Sequence, residues 1–339
     1  PLYVSVSGLP EGLEYSTDPN VITGVLSEGK YEVIVRAKNA VGETSKILSI
    51  EVSDNAVPRS PLMGWTSWNA YMNLIDQNRI GMSARKLVET GLADYGYAYV
   101  NIDSGWQGEY GGKYGGIMPN EFFPDMYKLV EDIHALGIKV GIYSSPMIHN
   151  FGPSRYLNRD YIGTTSGETD TNAADFGLGG VIHHERECAR QWADFGFDYL
   201  KYDWNPAAKY HLAPMAEALE ATDREFALSV TCHANKSDAE YLMETGSSVR
   251  DNSDSYPRWD VVTEMIESSD YWLSYVKPGH FYDGDMMASG AIVADRNNDY
   301  NNVAFLVHRN IDGRLVFSED ETVFDYTARV ILPSPIQLS

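Results

Sequence analysis

Along residues 2–52 the side chains alternate with a period of two, Tyr31, Val33, Val35 and Ala37 facing one way and Glu32, Ile34 and Arg36 the other. Turn clusters at Asp18-Pro19-Asn20 and Asn39-Ala40-Val41-Gly42 interrupt the run, so the pattern predicts a small all-β sandwich over residues 1–53. A stretch of turn formers, with Asp54, Asn55 and Pro58, predicts a linker over 54–60. Beyond it the period changes. Met126, Leu129, Val130 and Ile133 recur at i, i+3, i+4 and i+7, which predicts an amphipathic helix that begins after Pro124 and stops at Gly137. A strand over 138–144 follows directly, and the same order of helix, glycine and strand recurs around Gly96 and Gly196. That repetition is the mark of βα units and a parallel sheet.

Strand-like runs at 62–68, 97–103, 138–144, 197–204, 226–232, 248–251, 280–286 and 331–338 predict a (β/α)8 TIM barrel over 61–339, ending at its eighth strand. Residues 93–103 also line up with residues 193–203, and each copy closes its strand with an acid, Asp103 or Asp203. In such a barrel the C-terminal strand ends build the site, so both carboxylates are expected at one mouth.

Composition narrows the chemistry. The 48 acidic residues outnumber the 26 basic ones for a net charge of −22, which disfavours nucleic acid as a partner. No stretch approaches the roughly 20 apolar residues that a membrane-spanning helix needs. Cys188 and Cys232 are too few for a disulfide framework and lack the paired spacing of a zinc site. The opening Pro-Leu-Tyr has neither an initiator Met nor a signal peptide, and reads as the start of an excised piece of a longer protein. A mouth with several Asp residues, a Lys, an Arg and some of the 23 Tyr and 7 Trp, without a phosphate-cradling Gly loop, suits a neutral sugar. Carboxylates bind hydroxyls in pairs, and rings stack on the apolar sugar face. His183-His184-Glu185 lacks the second His of a zinc helix, and the polar stretch 295–302 lacks the order of a calcium loop, so no metal or cofactor is expected.

Two resemblances sharpen this reading. Gly8-Leu9-Pro10-Glu11-Gly12-Leu13, Gly24-Val25-Leu26, Gly29-Lys30-Tyr31 and Ala37-Lys38-Asn39-Ala40-Val41-Gly42 together resemble the immunoglobulin-like repeats of bacterial cell-surface proteins, with the first strands missing. Pro61-Leu62-Met63-Gly64-Trp65-Thr66-Ser67-Trp68-Asn69, Tyr99-Val100-Asn101-Ile102-Asp103, Gly141-Ile142-Tyr143, Leu200-Lys201-Tyr202-Asp203, Arg250 with Asp254, and Pro278-Gly279-His280 through Asp285-Met286 resemble glycoside hydrolase family 27. That family contains α-galactosidases and α-N-acetylgalactosaminidases, and six motifs in order over 61–339 are far more specific than any one alone. The resemblance implies a retaining exo-hydrolase that removes a terminal α-linked galactose-like sugar from an oligosaccharide or polysaccharide, and a secreted, periplasmic or cell-surface bacterial protein.

By the same resemblance Asp203 is the nucleophile, Asp254 the acid/base, and Trp65, Asp103, Tyr143, Lys201, Arg250 and Asp285 line the sugar subsite. Lys201, two residues before Asp203 on one strand face, is expected to lower the pKa of that carboxyl. Asp254 is expected to be kept protonated by burial or by the charge of Asp203, with Asp251 its competitor for the role. Two departures bear on specificity. Ser104 stands where the family has a second Asp, and His233 follows Cys232 where Glu or Gln is usual, so contacts to both ends of the sugar change. Another α-glycoside, a β-L-arabinopyranoside, or a barrel that binds carbohydrate without cleaving it are the alternatives.

Overall fold

The computed structural model describes residues 2–18, 20–52, 60–71, 74–147, 184–287 and 317–339. The chain divides into two compact units, one of Pro1–Pro58 with Ala135–Gly137 and one of Arg59–His134 with Ile138–Ser339.

In the first unit β1 (Tyr3–Ser7), β4 (Gly29–Lys38) and β5 (Glu43–Val52) form an antiparallel sheet in the order β1-β4-β5, and β2 (Leu13–Thr17) pairs with β3 (Asn20–Gly24) as a hairpin. The alternation on β4 carries Val33 into the core, whereas β5 is exposed along most of its length.

The second unit is built on an eight-stranded parallel sheet. In chain order its strands are β6 (Met63–Thr66), β7 (Tyr97–Ile102), β10 (Lys139–Ser144), β11 (Tyr199–Asp203), β12 (Ala227–Thr231), β13 (Ser248–Val249), β14 (Phe281–Tyr282) and β15 (Ile336–Leu338). From β7 to β14 each pairs with the strand before it in this order, and β15 pairs with β6. The edges left at β14 and β15 meet through an isolated parallel bridge between Met287 and Leu338, so the sheet curls back on itself. A small hairpin, β8 (Gln107–Gly111) with β9 (Gly116–Pro119), follows β7.

The helices in the connections are α1 (Trp68–Tyr71), α2 (Gln77–Glu89), α3 (Met126–Ala135), α4 (Glu185–Phe195), α5 (Lys209–Glu220), α6 (Ala239–Thr245), α7 (Trp259–Trp272) and α8 (Glu319–Ile331). On α3 the predicted stripe of Met126, Leu129, Val130 and Ile133 is buried. Gly96 and Gly196 take the left-handed conformation at φ +94° and +93°, each ending its helix ahead of a strand. Each of the eight predicted strands contains one of these, although the runs at 248–251 and 280–286 are strands only over Ser248–Val249 and Phe281–Tyr282, and the start of the eighth is displaced. Ile331 is the last residue of α8, which starts at a Ser318/Glu321 capping box, and the eighth strand begins only at Ile336.

Candidate active site

The register of the sheet decides which side chains reach the mouth. Thr66, Tyr199, Lys201, Ser229, Asp283 and Gln337 all line one small polar cavity inside the sheet. Side chains two residues apart share a strand face, so Asp203, which follows Tyr199 and Lys201, is carried to the strand end on that face. Beyond the strand ends a cleft of about 420 Å3 opens, and both acids of the internal repeat, Asp103 and Asp203, line it.

Most of the charges in the cleft are paired. Lys201 Nζ lies 2.9 Å from Asp103 Oδ2, and the Lys201 ammonium also sits 5.6 Å from the centre of the Tyr143 ring. Arg250, fully buried, reaches Asp285 Oδ1 at 2.5 Å with one nitrogen and Asp254 Oδ1 at 2.9 Å with the other. Asp285 is itself held at φ +68° and accepts the Ser255 N–H at 2.6 Å. Burial pushes its carboxyl up, but Arg250, Lys201 and the N–H groups of Ser255 and Met286 outweigh that and hold it below the usual range. Lys201 is held fully cationic, because Asp103, Asp203 and Asp285 overcome the cost of burying it.

Asp203 departs from expectation. Its carboxyl is pushed up to about 7, chiefly by burial, which Lys201 and Arg250 oppose and the charges of Asp254 and Asp103 reinforce. Lys201 therefore does not bring it below the ordinary range, because the near partner of the ammonium is Asp103. Asp203 Oδ1 is buried without a hydrogen-bond partner among the described residues. Asp254 lacks the burial that was expected of it. It is not buried: its side chain is 40% exposed and rests on Arg250. The competing Asp251 lies outside the cleft lining, accepting the Trp272 Nε1–H at 2.8 Å and pairing with Lys236 at 3.3 Å.

Tyr143, Lys201, Cys232, His233, Arg250 and Asp254 all line the cleft. Asp285 meets it through Arg250 and borders the inner cavity. Burial drives the Cys232 thiol up to about 12, so it contributes a neutral surface. Trp65 is the exception. On β6 the buried, inward positions are Gly64 and Thr66, so Trp65 points the other way and packs edge-on against Tyr71 at 6.0 Å. Trp68, three residues on at the start of α1, supplies the cleft's indole. Sequence reasoning also missed Asn205, Tyr256, Arg258 and Glu264, of which the last three come from the connection after β13 and from α7. Trp68 stands inside the Gly64-Trp65-Thr66-Ser67-Trp68 motif, and strand parity was the signal that separates the two indoles. The other four carry no comparable signal.

Ser104 lines the cleft beside Asp103, and its N–H donates to Asp103 Oδ1 at 2.7 Å. Among the described residues no group of three or more His, Cys, Asp or Glu side chains could hold a metal ion, and no helix is long and apolar enough to cross a membrane. The ring of His184 packs against Tyr110 at 5.0 Å, while His183 and the stretch 288–313 lie outside the described residues.

Residues 60–151 match the family described as Alpha galactosidase A. Alpha-galactosidase 3 of Arabidopsis thaliana is 32% identical over 266 residues, covering 76% of this chain and 55% of that protein. The chain spans about half the length of the curated relatives it matches. A Bacteroides fragilis protein provisionally described as an alpha-galactosidase matches at a TM-score of 0.71 and 28% identity, over 86% of this chain and 61% of that one. A β-L-arabinopyranosidase of glycoside hydrolase family 27 from Geobacillus stearothermophilus, at a TM-score of 0.66 and 22% identity over 83% of this chain and 72% of that one, shares the fold. By sequence the chain is thus similar to alpha-galactosidases, and it shares its fold with a glycoside hydrolase of family 27.

Proposed function

We propose that the chain is a family 27 glycoside hydrolase that removes a terminal α-linked galactose-like sugar with retention of configuration. The observation that carries this reading is that Asp203, at the end of β11, and Asp254, in the connection after β13, line one cleft, with Arg250 paired to Asp254. In the first displacement an ionised Asp203 oxygen attacks the anomeric carbon while the bond to the leaving oxygen breaks and Asp254 donates its proton there. In the second, Asp254 takes a proton from water as that water attacks the glycosyl–Asp203 ester and frees the carboxylate. Asp103 and Lys201 present an acceptor and a donor to the hydroxyls of the bound sugar, with Trp68 as a ring surface.

Ser104 favours a second specificity. A short neutral side chain where the family carries an acid gives up a grip on the C4 and C6 side of galactose, which suits a β-L-arabinopyranoside, the same ring configuration without C6. The test is hydrolysis of nitrophenyl α-galactoside, α-N-acetylgalactosaminide, α-glucoside and β-L-arabinopyranoside by wild type and by Asp203→Asn. Release by wild type alone supports Asp203 as nucleophile, and full activity in Asp203→Asn overturns it. Silence across the panel, with sugar binding retained, moves the assignment to a carbohydrate-binding barrel.

We also propose that the first unit is an immunoglobulin-like spacer of a secreted, periplasmic or cell-surface bacterial protein, a reading supported by the sequence resemblance of residues 8–42. Hydrolysis should then survive deletion of residues 1–53.

A further inference from the structure

Asp254 sits in an irregular connection between β13 and α7, where a half-exposed carboxylate would wander unless its backbone were fixed. The flanking residues are tied down one by one. Asn252 Oδ1 accepts the Tyr282 hydroxyl at 3.2 Å, and the Ser255 N–H donates to Asp285 Oδ2 at 2.6 Å. Ser253, the residue immediately before Asp254, donates both its N–H and its hydroxyl to Glu264 Oε1, at 3.2 and 3.0 Å. Glu264 stands on the second turn of α7, and Val261, Val262 and Met265 bury that helix against the rest of the barrel. A carboxylate on a packed helix is a firm post, and two hydrogen bonds to a charged acceptor are stronger than two to a neutral one.

We propose that Glu264 is a positioning residue for the leaving-group acid, holding Asp254 in place through Ser253. The inference rests on Asp254 being that acid. Ser253 and Glu264 border the same cleft as Asp254, so slack in this clamp is felt at the atom that must deliver a proton. A displacement of roughly 1 Å at a catalytic group costs about 10²-fold in rate.

The test compares hydrolysis of phenyl α-galactoside, whose leaving group needs a proton, with that of dinitrophenyl α-galactoside, whose leaving group does not. In Glu264→Ala the ratio of the two kcat/KM values is expected to fall by about 10²-fold relative to wild type, toward the ratio shown by Asp254→Ala. Glu264→Gln keeps the acceptor oxygen and should restore most of the ratio. Ser253→Ala, which deletes one of the two donors without touching the helix, should lower the ratio severalfold. A Glu264→Ala or Ser253→Ala enzyme with the wild-type ratio, measured beside an Asp254→Ala enzyme whose ratio collapses, overturns the positioning role alone. An unchanged ratio in Asp254→Ala overturns the acid assignment and the inference with it.

Discussion

Replacing Asp203 by Asn should stabilise the barrel at neutral pH while abolishing turnover. The carboxyl is raised from 3.8 to about 7 because folding buries it, so ionisation works against the folded state. The difference of about 3.2 units, at about 1.36 kcal/mol each, is about 4 kcal/mol, or about 8 °C in Tm for a domain of this size. Asn is close to an isostere of the protonated acid and carries none of this penalty. Below pH 3.8 Asp203 is protonated in both folded and unfolded chains, and wild type and variant should match. Between 3.8 and about 7 the unfolded chain releases the proton while the folded one keeps it, so wild-type stability falls with rising pH. Above about 7 the gap is constant. The assay is equilibrium urea denaturation of both proteins at intervals from pH 3.5 to 8.5. A difference independent of pH, or a variant less stable than wild type at pH 8, would refute the reasoning.

The other buried charges give contrasting outcomes. Lys201→Met leaves Asp103 buried without its cation and should cost about 3–5 kcal/mol in urea denaturation at pH 7. On α8 the buried Arg329 pairs with the buried Asp325 at 3.0 Å and donates to the carbonyls of Gly284, Asp285 and Met286. Arg329→Met should therefore lose a similar amount of stability and also raise KM, because the turn that presents Asp285 loosens. Asp198 accepts from His134, the Val140 N–H and Arg224, and although burial pushes its carboxyl up these partners outweigh it and hold it below the usual range. Its contribution is present above pH 3.8 and is lost as pH falls through the lower folded value, so Asp198→Asn should be destabilising at pH 6 and nearly silent at very low pH.

Much of the site was legible because strand ends in a parallel barrel face one mouth, and an acid closing a period-two run is visible in the letters. Asp103 and Asp203 came from that repeat, and the family resemblance, which sets the acid four residues after the Arg, favoured Asp254 over Asp251. What the letters lacked was phase and depth. Trp65 and Trp68 are equally apolar, and only the alternation on β6 shows which of them turns outward. Lys201 could neutralise either neighbouring acid, and the distance to Asp103 made the choice. The eighth strand was drawn too long because Ile331 and Leu332 end a helix with side chains that suit a strand equally well. The Ser318/Glu321 capping box was the sign of that helix.

The meeting of β15 with β6 also governs the order of assembly. Asn69 N–H donates to Ser339 Oγ at 2.8 Å across 270 positions of sequence, and Ile336, Gln337 and Leu338 pair with Met63, Gly64 and Trp65. During synthesis the first strand of the sheet must wait for the last one, and until residues 336–338 have left the ribosome the other seven strands can only form an open sheet with two bare edges. Such an intermediate invites pairing with another nascent chain. The tripeptide that completes the cylinder is thus also what ends the chain's exposure to aggregation, and shielding by a chaperone would matter most in the interval before it arrives.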